Sequence, residues 1–218
     1  MLKLENVCYR YKSGTENVLK DISAVFEEGK FYSIVGPSGV GKTTLLSIMA
    51  GLDKPTHGTV YIHGEALSTV NLNKYRQKQI SMVFQSFHLF PLLTALENTS
   101  YLLEAQGVKR KEAEARAKEL LNMVGIGESK HKRYPANLSG GEQQRVAIAR
   151  SLSTGARVIL ADEPTGNLDI ANGEAIVNLL QNLAHQESYC VIVVTHNPDI
   201  AAVSDTVLRM ADGAVTIS

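Results

Sequence analysis

Long apolar runs are missing from this chain. Nowhere in its 218 residues is there anything close to the roughly 20 consecutive apolar residues that span a bilayer. The opening Met1-Leu2-Lys3-Leu4-Glu5-Asn6 lacks the apolar stretch of a secretory leader. Cysteine is scarce: Cys8 and Cys190 each sit in an apolar strand-like run, where they read as small buried hydrophobes rather than as a disulfide or a metal site. Excess charge is missing too. The 22 basic residues balance the 22 acidic ones, which removes any overall electrostatic case for nucleic acid or an anionic membrane surface. What remains is a reduced, cytoplasmic protein, long enough for one large domain or two small lobes around a sizeable core.

One glycine-rich stretch stands out among what is there. Gly36-Pro37-Ser38-Gly39-Val40-Gly41-Lys42-Thr43-Thr44 follows Phe31-Tyr32-Ser33-Ile34-Val35, an apolar run that reads as a buried strand. It leads into a helical pattern with Leu45, Ile48, Met49 and Leu52 on one face and Gly51 as a stop. Strand, glycine turn and helix form the setting that the G-x-x-x-x-G-K-[ST] pattern requires. Glycines let backbone N–H groups turn inward around a polyphosphate, and the helix N-terminus adds donors and partial positive charge. Lys42 is expected to reach the β- and γ-phosphates, and the Thr43 hydroxyl to help hold Mg²⁺.

Before this stretch, Leu2 to Arg10 and Val18 to Phe26 alternate apolar with polar and predict an antiparallel pair. Tyr11, just after the first of these, reads locally as an ordinary strand-end tyrosine. Residues 59–64 predict another short strand. Ile80-Ser81-Met82-Val83-Phe84 predicts a buried one, closed by Gln85. The connection that follows, Ser86-Phe87-His88-Leu89-Phe90-Pro91-Leu92-Leu93, is unusually apolar and fits a core segment and a docking patch equally well. From 94 to 124 the pattern is helical. Ala113, Ala117, Leu121 and Val124 share a face, and Glu112 with Arg116 and Glu114 with Lys118 are expected i,i+4 pairs. Residues 94–137 therefore read as a helical insertion.

Leu138-Ser139-Gly140-Gly141-Glu142-Gln143-Gln144-Arg145 opens the next helix. Ser139 and Glu142 have capping-box spacing. Two glycines in the first turn cost about 1 kcal/mol each relative to alanine, which a cap alone does not call for. A phosphate approaching this helix N-terminus would call for them. Further on, Arg157-Val158-Ile159-Leu160-Ala161-Asp162-Glu163 is an apolar strand ending in two carboxylates. A strand of this kind suits the middle of a parallel sheet, with Asp162 near the Mg²⁺ side of the glycine turn and Glu163 placed to polarise a water. Ile176, Leu179, Leu180 and Leu183 share one face of a later helix. Cys190-Val191-Ile192-Val193-Val194-Thr195-His196 is the last strongly buried strand, with His196 placed to contact a γ-phosphate. His57, His63, His88, His131 and His185 have no such placement.

Over essentially its whole length the chain resembles the ATPase subunit of an ABC transporter. Residues 36–44 match the Walker A segment and 158–163 the Walker B segment. Leu138-Ser139-Gly140-Gly141-Glu142 matches the signature that ordinary P-loop enzymes lack. Gln85 corresponds to the Q-loop, Gly166-Asn167-Leu168-Asp169 to the D-loop, and Thr195-His196 to the switch histidine. Tyr11 falls at the aromatic position that stacks on the base, which reverses its local reading. Val40 and Thr43 both stand where serine is frequent, and Thr43 keeps the hydroxyl.

The resemblance implies an α/β fold: a RecA-like P-loop NTPase core with an antiparallel β subdomain and an inserted α-helical subdomain. Within a single domain over 1–218, residues 1–85 and 157–218 would form the core and β subdomain, and 86–156 the helical, signature-bearing part. It implies ATP and Mg²⁺ as cofactors. Tyr11 and residues 36–44 would bind ATP; Thr43, Gln85 and Asp162 would serve the metal; Glu163, His196 and Gln85 would serve hydrolysis. It implies a head-to-tail homodimer in which Ser139, Gly140, Gly141 and Asp169 complete the partner's ATP site. It also implies a transmembrane permease docked at residues 87–93, and a place on the inner face of the cell membrane.

Ala161-Asp162-Glu163-Pro164-Thr165-Gly166-Asn167-Leu168-Asp169, with Leu93-Thr94-Ala95-Leu96-Glu97-Asn98, is similar to the group of MacB, LolD and FtsE. That favours an exporter or lipoprotein-release system, with an FtsE-like ATPase that signals without moving cargo as the alternative. A repair ATPase of the superfamily would carry a very long coiled coil in place of the short insertion. A translation-type ATPase would need a second P-loop. A GTPase would need Asn-Lys-x-Asp, which Asn73-Lys74-Tyr75-Arg76 does not supply.

Overall fold

The computed structural model describes residues 1–12 and 14–217. The chain divides into two compact units. The first is Met1–Met82, Arg157–Glu163 and Leu180–Ser218; the second is Val83–Ala156 and Pro164–Leu179.

In chain order the first unit opens with β1 (Leu2–Tyr9), β2 (Leu19–Phe26), β3 (Phe31–Val35), α1 (Lys42–Met49), β4 (His57–Ile62), β5 (Glu65–Ala66) and α2 (Leu72–Lys78). After β6 (Ile80–Phe84) come α3 (Ala95–Ala105), α4 (Arg110–Met123) and α5 (Gly140–Ser153). The chain then runs through β7 (Val158–Asp162), α6 (Ile170–His185), β8 (Cys190–Thr195), α7 (Pro198–Ala202), β9 (Thr206–Ala211) and β10 (Ala214–Ile217).

Alternation in the first residues does produce an antiparallel pair. Leu2 lies opposite Phe26 and Leu4 opposite Ala24, and β1 pairs on its other side with β4, giving the sheet order β2-β1-β4-β5. The second sheet has the order β10-β9-β3-β8-β7-β6. Its centre is parallel: β3 runs beside β8 and β9, and β8 beside β7. Continuous apolar runs belong there because both faces are covered; all six residues of β8 are buried. Side chains from both sheets, including Leu4, Ile22, Ile34, Leu160, Ile192 and Leu208, form one core with Leu45, Leu46, Ile48 and Met49 of α1.

The parallel register decides where the site is. Val35 is level with Thr195, and Asp162 with Val194. The turn after β3, the carboxylates after β7 and the histidine after β8 therefore leave the sheet side by side, at the strand ends where such sheets bind ligands.

The second unit contains α3, α4 and α5. Thr94 caps α3 with a full capping box to Glu97. On α4, Ala113, Ala117 and Leu121 are buried as expected, together with Leu120. The exposed pairs differ from expectation: Arg110 binds Glu114 and Arg116 binds Glu119. On a solvated helix face, alternative partners three and four residues away are nearly equal in energy, and spacing does not choose between them. Two other expectations are corrected. Leu52 is 56% exposed, because α1 ends at Met49 before reaching it. Cys8 is half-buried, its Sγ accepting from the Asp21 N–H at 3.2 Å, whereas Cys190 is buried and both thiols are free.

Leu160 is fully buried in β7, two residues before Asp162. Leu160→Ala is expected to lower the unfolding free energy by about 2–5 kcal/mol, read from denaturant midpoints. A loss within error of zero would show that β7 is not packed as described.

Candidate active site

The phosphate turn is built where β3 ends. Gly41, at φ 108°, carries the chain through the left-handed region directly into α1. Pro37, Ser38 and Gly39 are exposed along the turn, with Gly36 and Val40 half-buried. Lys42 opens α1 as a buried residue. Its Nζ donates to the carbonyls of Gly36 at 2.8 Å and Pro37 at 2.9 Å, tying the two ends of the turn together. Thr44 Oγ1 lies 2.7 Å from the Tyr11 hydroxyl. That bond, with edge-on packing against Tyr9, holds a 46% exposed aromatic ring beside the start of α1.

Thr43 Oγ1 donates to Asp162 Oδ1 at 3.4 Å. A hydroxyl from α1 and a carboxylate from β7 form an all-oxygen pair of the kind a hard cation such as Mg²⁺ takes. Burial pushes the Asp162 carboxyl above its usual range; the Thr43 bond opposes this, the Glu163 charge adds to it, and Lys42 opposes it.

Glu163 sits at φ 47°, a conformation that costs a non-glycine residue on the order of 1 kcal/mol or more and tends to occur at functional sites. Its N–H donates to the Val194 carbonyl at 2.9 Å, which pins the backbone to β8. Its carboxylate is gripped from the same strand. Oε1 lies 2.8 Å from His196 Nδ1, and Oε2 accepts from Thr195 Oγ1 at 3.3 Å. Tyr11 with Thr44, Thr43 with Asp162, and Glu163 with His196 are thus joined in pairs within the first unit, and Lys42 is held by the carbonyls of its own turn.

Gln85, Ser139, Gly140, Gly141 and Asp169 belong to the second unit. There Gln85 and Asn167 bond reciprocally: Gln85 Nε2 donates to Asn167 Oδ1 at 3.1 Å, and Asn167 Nδ2 to the Gln85 carbonyl at 3.0 Å. Asp169 accepts from the N–H and side chain of Asn172, which hold its carboxyl below the usual range. Ser139 caps α5 in a full capping box with Glu142. Gly141 has a reason internal to the chain: a Cβ there would collide with the Asn172 side-chain oxygen. Close approach by the chain's own Asn172 is thus one reason for that glycine.

Sequence reasoning missed three supports. Gln144, fully buried, donates to the Pro164 carbonyl at 2.8 Å. Arg150 donates to the carbonyls of Phe87 at 3.1 Å and His88 at 2.6 Å, two residues with positive φ. Asn98, also fully buried, bonds the N–H and carbonyl of Phe90 and the carbonyls of Leu93 and Thr94. The available signal was faint, Gln144 lying three and four residues before the buried Ala147 and Ile148 of the same helix face, and the carbonyl partners left none.

A phosphate turn after one parallel strand and paired carboxylates after another define a P-loop nucleotide hydrolase. The family pattern described as "ABC transporter" matches residues 19–166. An uncharacterized ABC transporter ATP-binding protein of Bacillus subtilis, YclH, is 44% identical over 217 residues, covering 100% of this chain and 96% of its own length. The MacB macrolide export ATP-binding/permease protein of Salmonella paratyphi A is 43% identical over 99% of this chain, which spans 34% of MacB. Among solved structures, the dimeric bacterial ABC transporter cassette MJ0796 superposes with a TM-score of 0.89 at 43% identity, covering 100% of this chain and 98% of that one. A post-hydrolysis state of the same cassette, bound to ADP and Pi, gives 0.89 at 42% identity. The chain belongs to the ABC transporter ATP-binding family. It is a nucleotide-binding ATP hydrolase with the P-loop cassette fold, and it serves as the ATP-binding subunit of a transporter.

Because burial raises Asp162, its ionised form is disfavoured in the nucleotide-free fold above the unfolded carboxylate range. Asp162→Asn is therefore expected to raise the melting temperature of the nucleotide-free protein near pH 7, and the gain should shrink as acid protonates Asp162 in the parent. ATP hydrolysis should fall about a hundredfold, the loss expected were Asp162 to hold a metal. A melting temperature unchanged or lowered at pH 7 would contradict the effect of burial.

Proposed function

We propose that the chain hydrolyses ATP as a head-to-tail dimer, with Glu163 as the base, and drives a membrane permease docked on residues 87–93. The observation that carries this reading is the held carboxylate: Glu163, fixed between Thr195 and His196, directly follows Asp162, which reaches the first turn of α1.

Lys42, now bonded to two loop carbonyls, would exchange them for β- and γ-phosphate oxygens, and the N–H groups of residues 36–44 would cradle the rest. Tyr11 would stack on the adenine. Thr43 and Asp162 would hold Mg²⁺, which would neutralise charge on the β- and γ-phosphates. Glu163 accepts a proton from a water whose oxygen bonds to the γ-phosphorus, while the bond from that phosphorus to the β–γ bridging oxygen breaks and ADP leaves. His196 keeps the carboxylate aimed and faces solvent on its other side, free to contact the γ-phosphate. Ser139, Gly140, Gly141 and Asp169 would complete the site from a second copy; the relative solved as a dimeric cassette supports a dimer.

The docking reading rests on a loop that is held rigid yet shows apolar side chains. Asn98 and Arg150 fix its carbonyls, Phe87 is half-buried, and Phe90 and Leu92 are 41% and 85% exposed. None of the helices among the described residues is long and apolar enough to cross a membrane. Export-type work, on the pattern of MacB, is the reading that the 43% identity favours.

Glu163→Gln should keep ATP binding, lose at least about a hundredfold in turnover, and accumulate a dimer in ATP that light scattering detects, because an amide is a very poor base. A Glu163→Gln chain that stays monomeric in ATP would refute the shared site. Mixed dimers pairing Lys42→Ala with Gly140→Trp should still bind one ATP, whereas a pure Lys42→Ala dimer binds none.

Phe90→Asp with Leu92→Asp should abolish co-purification with the native membrane partner and leave ATP hydrolysis by the isolated chain within about twofold of the parent, since exposed changes away from a site are usually mild. Undiminished co-purification would make the segment an ordinary loop.

A further inference from the structure

The start of α5 carries a charge problem. Glu142 occupies its third position and closes the capping box: Oε2 accepts from the Ser139 N–H at 2.9 Å, and Ser139 Oγ accepts from the Glu142 N–H at 3.3 Å. This arrangement leaves donors to spare. The Ser139 hydroxyl keeps its own O–H to give, and the N–H groups of Gly140 and Gly141, which a helix cannot satisfy internally, make no backbone hydrogen bond among the described residues. Together they could receive an anion. Yet the carboxylate of Glu142 stands at the same helix end, where its negative charge offsets the dipole and repels a phosphate.

Lys130 answers that charge from another segment. It lies in a short 3-10 turn (Glu128–Lys130), and its ammonium pairs with Glu142 Oε1, the oxygen the cap leaves free. The pair is drawn into the surface: side-chain exposure is 35% for Lys130 and 14% for Glu142. Lys130, followed by the Ser139 N–H, holds the Glu142 carboxyl below its usual range, with Arg145 acting more weakly at longer distance.

We propose that Lys130 is a positioning residue for the shared nucleotide: by neutralising Glu142 it leaves Ser139, Gly140 and Gly141 able to take the γ-phosphate of ATP held by a second copy. This inference rests on the head-to-tail reading above. It assigns a cationic residue outside the signature to the signature's work and makes the pair, rather than Glu142 alone, the unit that functions.

The test uses the full chain carrying Glu163→Gln, with ATP-driven dimerisation followed by sedimentation and the intact monomer site checked with a fluorescent ATP analogue. Adding Lys130→Ala should weaken the dimer at least about tenfold, the scale of one uncompensated charge near a phosphate in a half-exposed site. Binding of the analogue to the monomer should be unchanged. Adding Glu142→Gln to Lys130→Ala should restore the dimer to within about twofold, because a glutamine closes the capping box without the charge. Lys130→Arg should match the parent, and the Lys130→Ala defect should shrink in high salt.

Melting temperatures of the nucleotide-free variants report folding separately. A Lys130→Ala chain that dimerises like its parent overturns the inference while the head-to-tail reading stands. A defect that Glu142→Gln fails to relieve also overturns it, since Lys130 would then be only a structural support. A Glu163→Gln chain that never dimerises in ATP overturns both.

Discussion

Two-sided burial of the parallel strands is the constraint from which the active site follows. Apolar side chains on both faces of β3, β7 and β8 leave each strand one register, and that register levels their C-terminal ends. Polar and conformationally demanding residues gather where the burial stops. Gly36, Asp162, Glu163 and His196 each follow within two residues of the last buried position of their strand. A slip of one residue in β7 would turn Asp162 away from Thr43 and break the oxygen pair suited to a cation.

Within that frame the polar groups at the strand ends find their partners inside the first unit. Lys42 is satisfied by loop carbonyls, Thr43 by Asp162, and Glu163 by Thr195 and His196. A buried ammonium or carboxylate left without a partner would cost several kcal/mol, so these bonds help to keep the fold stable. Asp162 is the exception, raised by burial that its hydroxyl partner only partly offsets. A nearby cation would favour the ionised form of a carboxylate raised in this way.

The second unit applies the same economy to backbone. Arg150 and Asn98 occupy the carbonyls of a loop that has no regular partner, and the loop thereby keeps two consecutive residues at positive φ. Side chains of α3 and α5 hold it by its carbonyls, while Phe90 and Leu92 stay exposed. The helix that begins with Ser139 also carries Gln144 and Arg150. One rigid element thus presents the signature turn and holds both the chain after Glu163 and the apolar loop.

Much of this was legible in the sequence, because local chemistry dictated it. Gly-rich turns, capping pairs and unbroken apolar strands have few alternative conformations, so β3 with α1, the Ser139 cap and the carboxylate-ended β7 were written in residue type and spacing. Bonds from side chains to distant carbonyls were not. Every residue offers a carbonyl, and nothing in Phe87, His88 or Pro164 marks it as the partner of Arg150 or Gln144; only packing selects among them. Exposed ion pairs on α4 escaped for the opposite reason, since several partners are nearly equal in energy. The pairing of Lys130 with Glu142 needed the fold as well: 12 residues apart in sequence, they meet because the segment between them doubles back through two short 3-10 turns. Sequence alone determined the chemistry available to this protein, and the tertiary structure decided which groups hold one another in place, because those choices depend on distances that no local pattern encodes.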